Sequence, residues 1–343
     1  MENPAPNSLP PAVAGRSAAL GPGAGYEGPA FESAQSESAR SESARSESRT
    51  GFFYALGAYL LWGLLPVYMK ALSHVAPVEV VAHRVIWSVP VALGVLIWLG
   101  RTSDLRAALR QPRMLAMAAV NAALISVNWG IYVWAVGAGR ALDAALGYYI
   151  NPLFSVFLGA VLLGERLRPT QWLALGLAAG GVALVTWEAG SLPLVALSLT
   201  LTFGFYAYFK RALPIGPNQG FALEVLILLP FGIGFYLWFA LRGESHFLTG
   251  NALDSLLLLG CGVVTAVPLI LYANGAKRLR LTTIAMMQYI APTMIFLTAV
   301  FVFGEPFGGR RLLAFGLIWS GLAIYTLALR GGEGRSEGRG PQV

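Results

Sequence analysis

The amino-acid sequence predicts an all-α polytopic membrane protein, with ten transmembrane helices in two inverted five-helix repeats. Three observations carry this: the composition, a succession of ten apolar runs, and an internal repeat at a fixed offset. Of 343 residues, 56% are hydrophobic and 12% charged, whereas an ordinary soluble domain carries about 25% charged residues. Too little charge is present to cover a water-facing surface. The formal net charge of +7 does not point to nucleic acid, because the basic residues sit between apolar runs instead of along one solvated face.

Residues 1–50 lack the basic start and the apolar core of a signal peptide. They carry the pentads Ser36-Glu37-Ser38-Ala39-Arg40 and Ser41-Glu42-Ser43-Ala44-Arg45, followed by Ser46-Glu47-Ser48-Arg49. Such a segment buries too little apolar surface to offset its ordering entropy, which predicts a disordered cytoplasmic tail, as does the Gly/Arg/Glu composition of 331–343. Between these tails, a bilayer core takes roughly 20 residues per helix. Hydropathy and breaker positions place spans near 52–72, 78–99, 114–136, 141–163, 170–188, 191–209, 220–241, 253–274, 281–303 and 310–329. Their punctuation is Pro77, Pro112, Pro169, Gly190 with Pro193, Pro214 with Gly216 and Pro217, and Gly308 with Gly309.

Slid against itself by 140 positions, the sequence matches without a gap. Tyr68 falls on Tyr208, Lys70 on Lys210, Pro90 on Pro230, Trp98 on Trp238, Tyr149-Ile150 on Tyr289-Ile290, Pro152 on Pro292, Gly164-Glu165 on Gly304-Glu305 and Gly181 on Gly321. Matched Trp, Tyr, Pro and Glu at one offset are not the chance agreement of Leu- and Ala-rich segments. The copies, 51–190 and 191–330, hold five spans each, and an odd number makes the second enter the membrane from the opposite side, as in many secondary transporters. Lys and Arg gather on the side of the N-terminus, Arg101, Arg106, Arg110, Arg113, Lys210 and Arg211 among them. The positive-inside rule therefore puts both termini in the cytoplasm.

The fourth span contains Tyr148-Tyr149-Ile150-Asn151-Pro152 and its partner in the ninth contains Gln288-Tyr289-Ile290-Ala291-Pro292. Each proline lies 11 residues into its span, roughly 16 Å deep at 1.5 Å per residue. Pro152 and Pro292 remove a backbone donor and free the carbonyls of Tyr148 and Gln288, so both helices should kink at the midplane. A freed carbonyl in hydrocarbon needs another partner, and the polar neighbours mark a cavity where a substrate supplies one. Arg84 and Glu224 occupy the same repeat slot near the starts of the second and seventh spans and are candidate gate residues at opposite faces. Lys70 and Lys210, at helix ends, are expected to snorkel to the interface, and His83 to be a hydrogen-bonded core residue.

Trp98, Trp238, Trp187 and Trp172 lie near span ends, as interfacial anchors do. Deeper ones, Trp62, Trp87, Trp129, Tyr132, Tyr148, Tyr149 and Tyr289, can line a pocket for a flat or amphiphilic molecule together with Asn121, Asn128, Asn151 and Gln288. Gly176 to Gly180 and Gly316 to Ser320 give the small-xxx-small spacing of close helix contact. The lone Cys261 excludes an intrachain disulfide, and no metal, nucleotide or hydrolase motif is present, so no cofactor is expected. The alternative from another class is a membrane enzyme acting on amphiphilic or lipid-linked substrates. It would need a concentrated acid/base or metal constellation, and none is visible.

The runs Ala82-His83-Arg84-Val85-Ile86-Trp87-Ser88, Asn128-Trp129, Ala145-Leu146-Gly147-Tyr148-Tyr149-Ile150-Asn151-Pro152-Leu153, Leu163-Gly164-Glu165-Arg166, Arg278-Leu279-Arg280-Leu281 and Gln288-Tyr289-Ile290-Ala291-Pro292-Thr293 resemble the RarD branch of the EamA-type permeases, within the drug/metabolite transporter superfamily. The resemblance covers residues 51–330. It implies ten helices in two inverted repeats, a bacterial inner-membrane location, and export or exchange of small organic solutes; RarD-like proteins are commonly labelled chloramphenicol-sensitivity permeases. Under it, the expected activity is transport by alternating access. Tyr148, Tyr149, Asn151, Gln288, Tyr289, Asn128 and Trp129 would contact substrate, and Arg84 and Glu224 would gate. One chain holds both repeats, so a homo-oligomer is not needed to complete the cavity. No residue pattern singles out a coupling ion.

Overall fold

The computed structural model describes residues 29–164, 167–249, 251–276, 278–279 and 281–336. The chain divides into two compact units, Met1–Ser46 and Glu47–Val343. Among the described residues all regular elements are helical: α1 (Pro29–Ala71), α2 (Pro77–Trp98), α3 (Thr102–Leu109), α4 (Pro112–Gly137), α5 (Ala141–Leu163), α6 (Pro169–Ala189), α7 (Leu194–Ala212), α8 (Pro217–Leu241), α9 (Ala252–Ala276), α10 (Leu281–Met287), α11 (Ile290–Leu297), a π-helical turn (Thr298–Val302) and α12 (Gly309–Ser336). Proline opens α2, α4, α6 and α8 at their first positions, where its missing N–H costs nothing.

Each of the ten apolar runs falls on a helix. Among the described residues, seven segments are long and apolar enough to cross a membrane, and two shorter apolar helices, Leu194–Lys210 and Ile290–Val302, accompany them. The protein is therefore an all-α polytopic membrane protein.

Three expectations need correction. The disorder expected over 1–50 and 331–343 does not extend to residues 29–50 and 331–336, which lie in α1 and α12. The rest of both tails lies outside the described residues. Helix α3 was not expected, since its eight residues are too short and too charged to register as a span. The ninth span is broken at Gln288–Tyr289, between α10 and α11. Pro292 therefore stands in the first turn after an interruption, while Pro152 lies inside an unbroken α5.

Within Glu47–Val343, α2 packs on α8 and α9, α7 on α4 and α5, α6 on α12, and α11 on α5. The pairs α2/α8 and α6/α12 join helices of equivalent repeat slots. Their contacts are reciprocal. A Cβ at Gly181 would stand 2.7 Å from the Ala314 carbonyl oxygen, and one at Gly321 would stand 2.8 Å from that of Ala174; residue 181 is the repeat partner of 321 and 174 that of 314. Late positions of one helix thus meet early positions of the other, so α6 and α12 run antiparallel. Lipid tails are as apolar as leucine, so such helices associate by close backbone approach. The small-xxx-small expectation is corrected in position: Gly176 and Gly316 have nothing within 4 Å, and the approach occurs at Gly181 and Gly321.

Candidate functional site

The structure divides the residues singled out from the sequence into three groups. The first surrounds Arg84, which is 3% exposed. Its Nε donates to Thr265 Oγ1 at 3.0 Å, and its guanidinium carbon lies 4.6 Å from the Trp129 ring centroid. Asn128, one residue before Trp129 on α4, donates to Thr202 Oγ1 at 2.9 Å and to the Leu199 carbonyl at 3.2 Å. The Tyr148 hydroxyl donates to Asn128 Oδ1 at 3.3 Å, and the Tyr148 ring lies 5.8 Å from that of Tyr132. Helices α2, α4, α5 and α9 therefore place an arginine, an amide and three aromatic rings together. Sequence reasoning missed Thr265 and Tyr68; the Tyr68 hydroxyl donates to the Leu257 carbonyl, a contact with no local signal in the chain.

The second group flanks the break in the ninth span. The Tyr149 and Thr293 hydroxyls are 2.7 Å apart, and Thr293 also donates to the Tyr289 carbonyl at 2.7 Å. Tyr149 meets Phe315 and Trp319 edge-on. Gln288 and Tyr289 are half-buried at the interruption itself, and Asn151 is buried with Oδ1 unpartnered. Pro152 and Pro292 lie on the same two helices.

The third group belongs to Glu224, which is buried. Lys210 Nζ donates to its Oε1 at 2.6 Å, and the Tyr206 hydroxyl to its Oε2 at 3.2 Å. The expectation that Lys210 snorkels is thereby corrected: a fully buried carboxylate draws the ammonium inward because an unpaired charge there is costly. Arg84 and Glu224 share a repeat slot but not a chemistry, since Glu224 is neutralised and no carboxylate among the described residues pairs with Arg84. His83 is a buried core residue, accepting at Nδ1 from Trp87 Nε1 at 3.0 Å, as expected.

At the end of the bundle near the starts of α2 and α9, a pocket of about 500 Å³ is lined by Glu244, Ser245, His246, Thr249, Asn251 and Asp254. Behind it Glu79, with 0% exposure, accepts from Ser245 Oγ at 3.1 Å and from the His246 backbone N–H at 2.7 Å, while His246 Nδ1 lies 2.9 Å from its second oxygen. His74 pairs with Asp254 at 3.1 Å. At the opposite end of the α2/α8 pair, Gln219 Nε2 donates to Asp104 Oδ2 at 3.0 Å. Residue 219 is the repeat partner of 79, and 104 that of 244, the neighbour of Ser245, so the two bridges start from equivalent positions and end one or two residues apart in the repeat. Neither was foreseen, since each joins a span to a connecting segment far along the chain, a loop for Glu79 and the short helix α3 for Gln219.

The Gly-Glu pair that ends the ninth span has a structural task. Gly304 takes φ of 67°, a left-handed turn that favours glycine. The next residue, Glu305, accepts from the backbone N–H groups of Ala141 and Leu142 at 2.7 and 2.8 Å, at the start of α5. Burial outweighs these donors and pushes the Glu305 carboxyl above the ordinary range. Its repeat partner Glu165 lies outside the described residues. Among those residues, no group of His, Cys, Asp and Glu could hold a metal ion.

Comparison with known proteins matches residues 49–187 to the EamA-like transporter family. A Vibrio cholerae protein described as an uncharacterized transporter is 41% identical, over 82% of this chain and 93% of its own. Protein RarD of Escherichia coli is 39% identical, over 82% and 95%. A chloramphenicol-sensitive protein RarD of Pseudomonas aeruginosa is 32% identical, over 79% and 92%. A solved crystal structure aligns with a TM-score of 0.55 at 20% identity, covering 82% of this chain and 98% of that one, a likeness of fold.

Proposed function

We propose, from a chain that belongs to the RarD-like transporters of the EamA family in the drug/metabolite transporter superfamily, that it is an alternating-access permease for small organic solutes. It would act in the bacterial inner membrane with both termini in the cytoplasm. Membership makes it a multi-pass membrane transporter of small molecules. The observation that carries the finer reading is the reciprocal, antiparallel packing of α6 on α12 at Gly181 and Gly321. It is what two five-helix repeats, 51–190 and 191–330, related by a two-fold axis in the membrane plane would make. Two half-bundles related in this way can rock to open either face around one site.

The site in this reading is formed by Arg84, Asn128, Trp129 and Tyr148 on one side and by Tyr149, Asn151, Gln288 and Tyr289 on the other, with Pro152 and Pro292 loosening the helices that carry the second group. Glu224 and Arg84 would mark the gates. The test is counterflow in proteoliposomes with amino acids, aromatic metabolites and chloramphenicol as solutes. Saturable exchange of at least one solute is expected, reduced at least tenfold by Asn151→Ala and Gln288→Ala with insertion intact. Solute turnover without a second compartment, or exchange unchanged in both variants, would remove the reading or the site respectively.

A further inference from the structure

We infer that Arg84 anchors a negatively charged group on the transported solute, and that the solutes are organic monocarboxylates with an apolar or aromatic body. This rests on the transporter reading and adds the chemistry of its cargo. Arg84 lies on α2, seven residues beyond Pro77 and so roughly 10 Å inward. A guanidinium offers five N–H donors in a fixed fork and stays protonated. Here Nε is engaged by Thr265 at 3.0 Å, one face rests on Trp129, and Nη1 has no partner.

Among the described residues, the titratable groups within electrostatic reach of this cation are Tyr68, Tyr132, Tyr148 and Cys261, none of them a carboxylate. By contrast, Lys210 meets the buried Glu224 carboxylate at 2.6 Å. An interior cation without a counter-ion is costly to hold, and here a bound anion removes that cost. Beside it the Tyr132 hydroxyl is also buried and unpartnered. An Nη1–H and a phenolic O–H suit the two oxygens of a single carboxylate. A second free cation, which a phosphate dianion would favour, is not part of this cluster, and the rings of Trp129 and Tyr148 offer flat apolar walls to the remainder of the solute.

The test uses the purified full-length protein in nanodiscs, read by thermal midpoint and by tryptophan fluorescence. The probes are benzoate, indole-3-acetate and hexanoate, set against benzamide, benzylamine and inorganic phosphate. At least one carboxylate should bind saturably and raise the midpoint, while benzamide, benzylamine and phosphate should not. Arg84→Gln should weaken that binding by roughly ten- to a hundredfold, the range expected for a lost hydrogen bond to a charged group. Arg84→Lys should recover part of it, because the charge returns without the fork. Tyr132→Phe, which leaves the cation in place, should weaken it severalfold and decides the matter if Arg84→Gln does not fold. No response to any carboxylate, benzamide binding as well as benzoate, or undiminished carboxylate binding in Arg84→Gln or Tyr132→Phe overturns the proposal. Counterflow that fails for every solute while carboxylate binding persists removes the transport reading and leaves the anion site. Exchange of neutral solutes without carboxylate binding does the reverse.

Discussion

At the scale of single residues, the buried charges divide by whether the chain supplies their counter-ion. Glu224 has 1% side-chain exposure and Lys210 22%, with 2.6 Å between them. Removing one partner of a buried pair strands the other, at a cost of about 3–5 kcal/mol, whereas replacing both by apolar or neutral groups is often close to neutral. Glu224→Gln and Lys210→Met should therefore each lower the thermal midpoint strongly, and the double variant should recover most of the loss. A double variant as unstable as the sum of the singles would show that the two side chains do not act as a pair. The sequence placed Arg84 and Glu224 in one repeat slot, but not this pairing. Lys210 and Glu224 are 14 positions apart, and only the fold of the α7–α8 turn brings them together.

At the scale of elements, the spans were legible because apolar runs and prolines mark them, and the exceptions have local causes. The break at Gln288–Tyr289 arises where Pro292 frees a carbonyl, yet Pro152 leaves α5 whole, so proline position alone does not predict an interruption. Glycine spacing was likewise insufficient, since four candidate small residues lay on α6 and α12 and the contact uses others. Gly181→Ala and Gly321→Ala should each push the Ala314 or Ala174 carbonyl away and cost about 1–3 kcal/mol. Gly176→Ala and Gly316→Ala, with open space around them, should be neutral or stabilising by about 0.5–1 kcal/mol. Thermal unfolding of the four variants checks the contrast, and equal losses at all four sites would refute the packing. The start of α5 carries a pH signature as well. Because burial raises the Glu305 carboxyl above its unfolded value, the folded state binds the proton more tightly. The contribution is full below the ordinary glutamate pKa of about 4.3 and is lost as pH rises through the raised value. The stability of the wild type relative to Glu305→Gln should thus narrow as pH rises from about 4.3, and a constant difference in midpoint across that range would contradict it.

At the scale of the whole molecule, helices of equivalent slots at the offset of 140 meet in α2/α8 and α6/α12, which the offset alone did not foretell, and the two ends of the α2/α8 pair are fastened unequally. At one end Glu79 gathers three contacts between 2.7 and 3.1 Å from Ser245 and His246. At the other, Gln219 makes one amide–carboxylate bond to Asp104 at 3.0 Å. Glu79 is fully buried whereas Asp104 is exposed, and water competes less for hydrogen bonds inside the bundle, so the end with three buried contacts is the tighter. In an alternating-access cycle the balance between the two fastenings sets which face opens more often. Glu79→Gln should shift that balance toward opening at the Glu79 end. A shift of about 1.4 kcal/mol would raise exposure of a deep position tenfold. Ser88, nine residues further along α2 and buried, is a suitable reporter as Ser88→Cys in a Cys261→Ala background. A membrane-impermeant maleimide supplied on the Glu79 side should label it roughly ten times faster when Glu79→Gln is added, and more slowly when Gln219→Ala is added instead. Labelling that ignores both changes would mean that the two bridges are static braces and that the halves do not rock about α2 and α8.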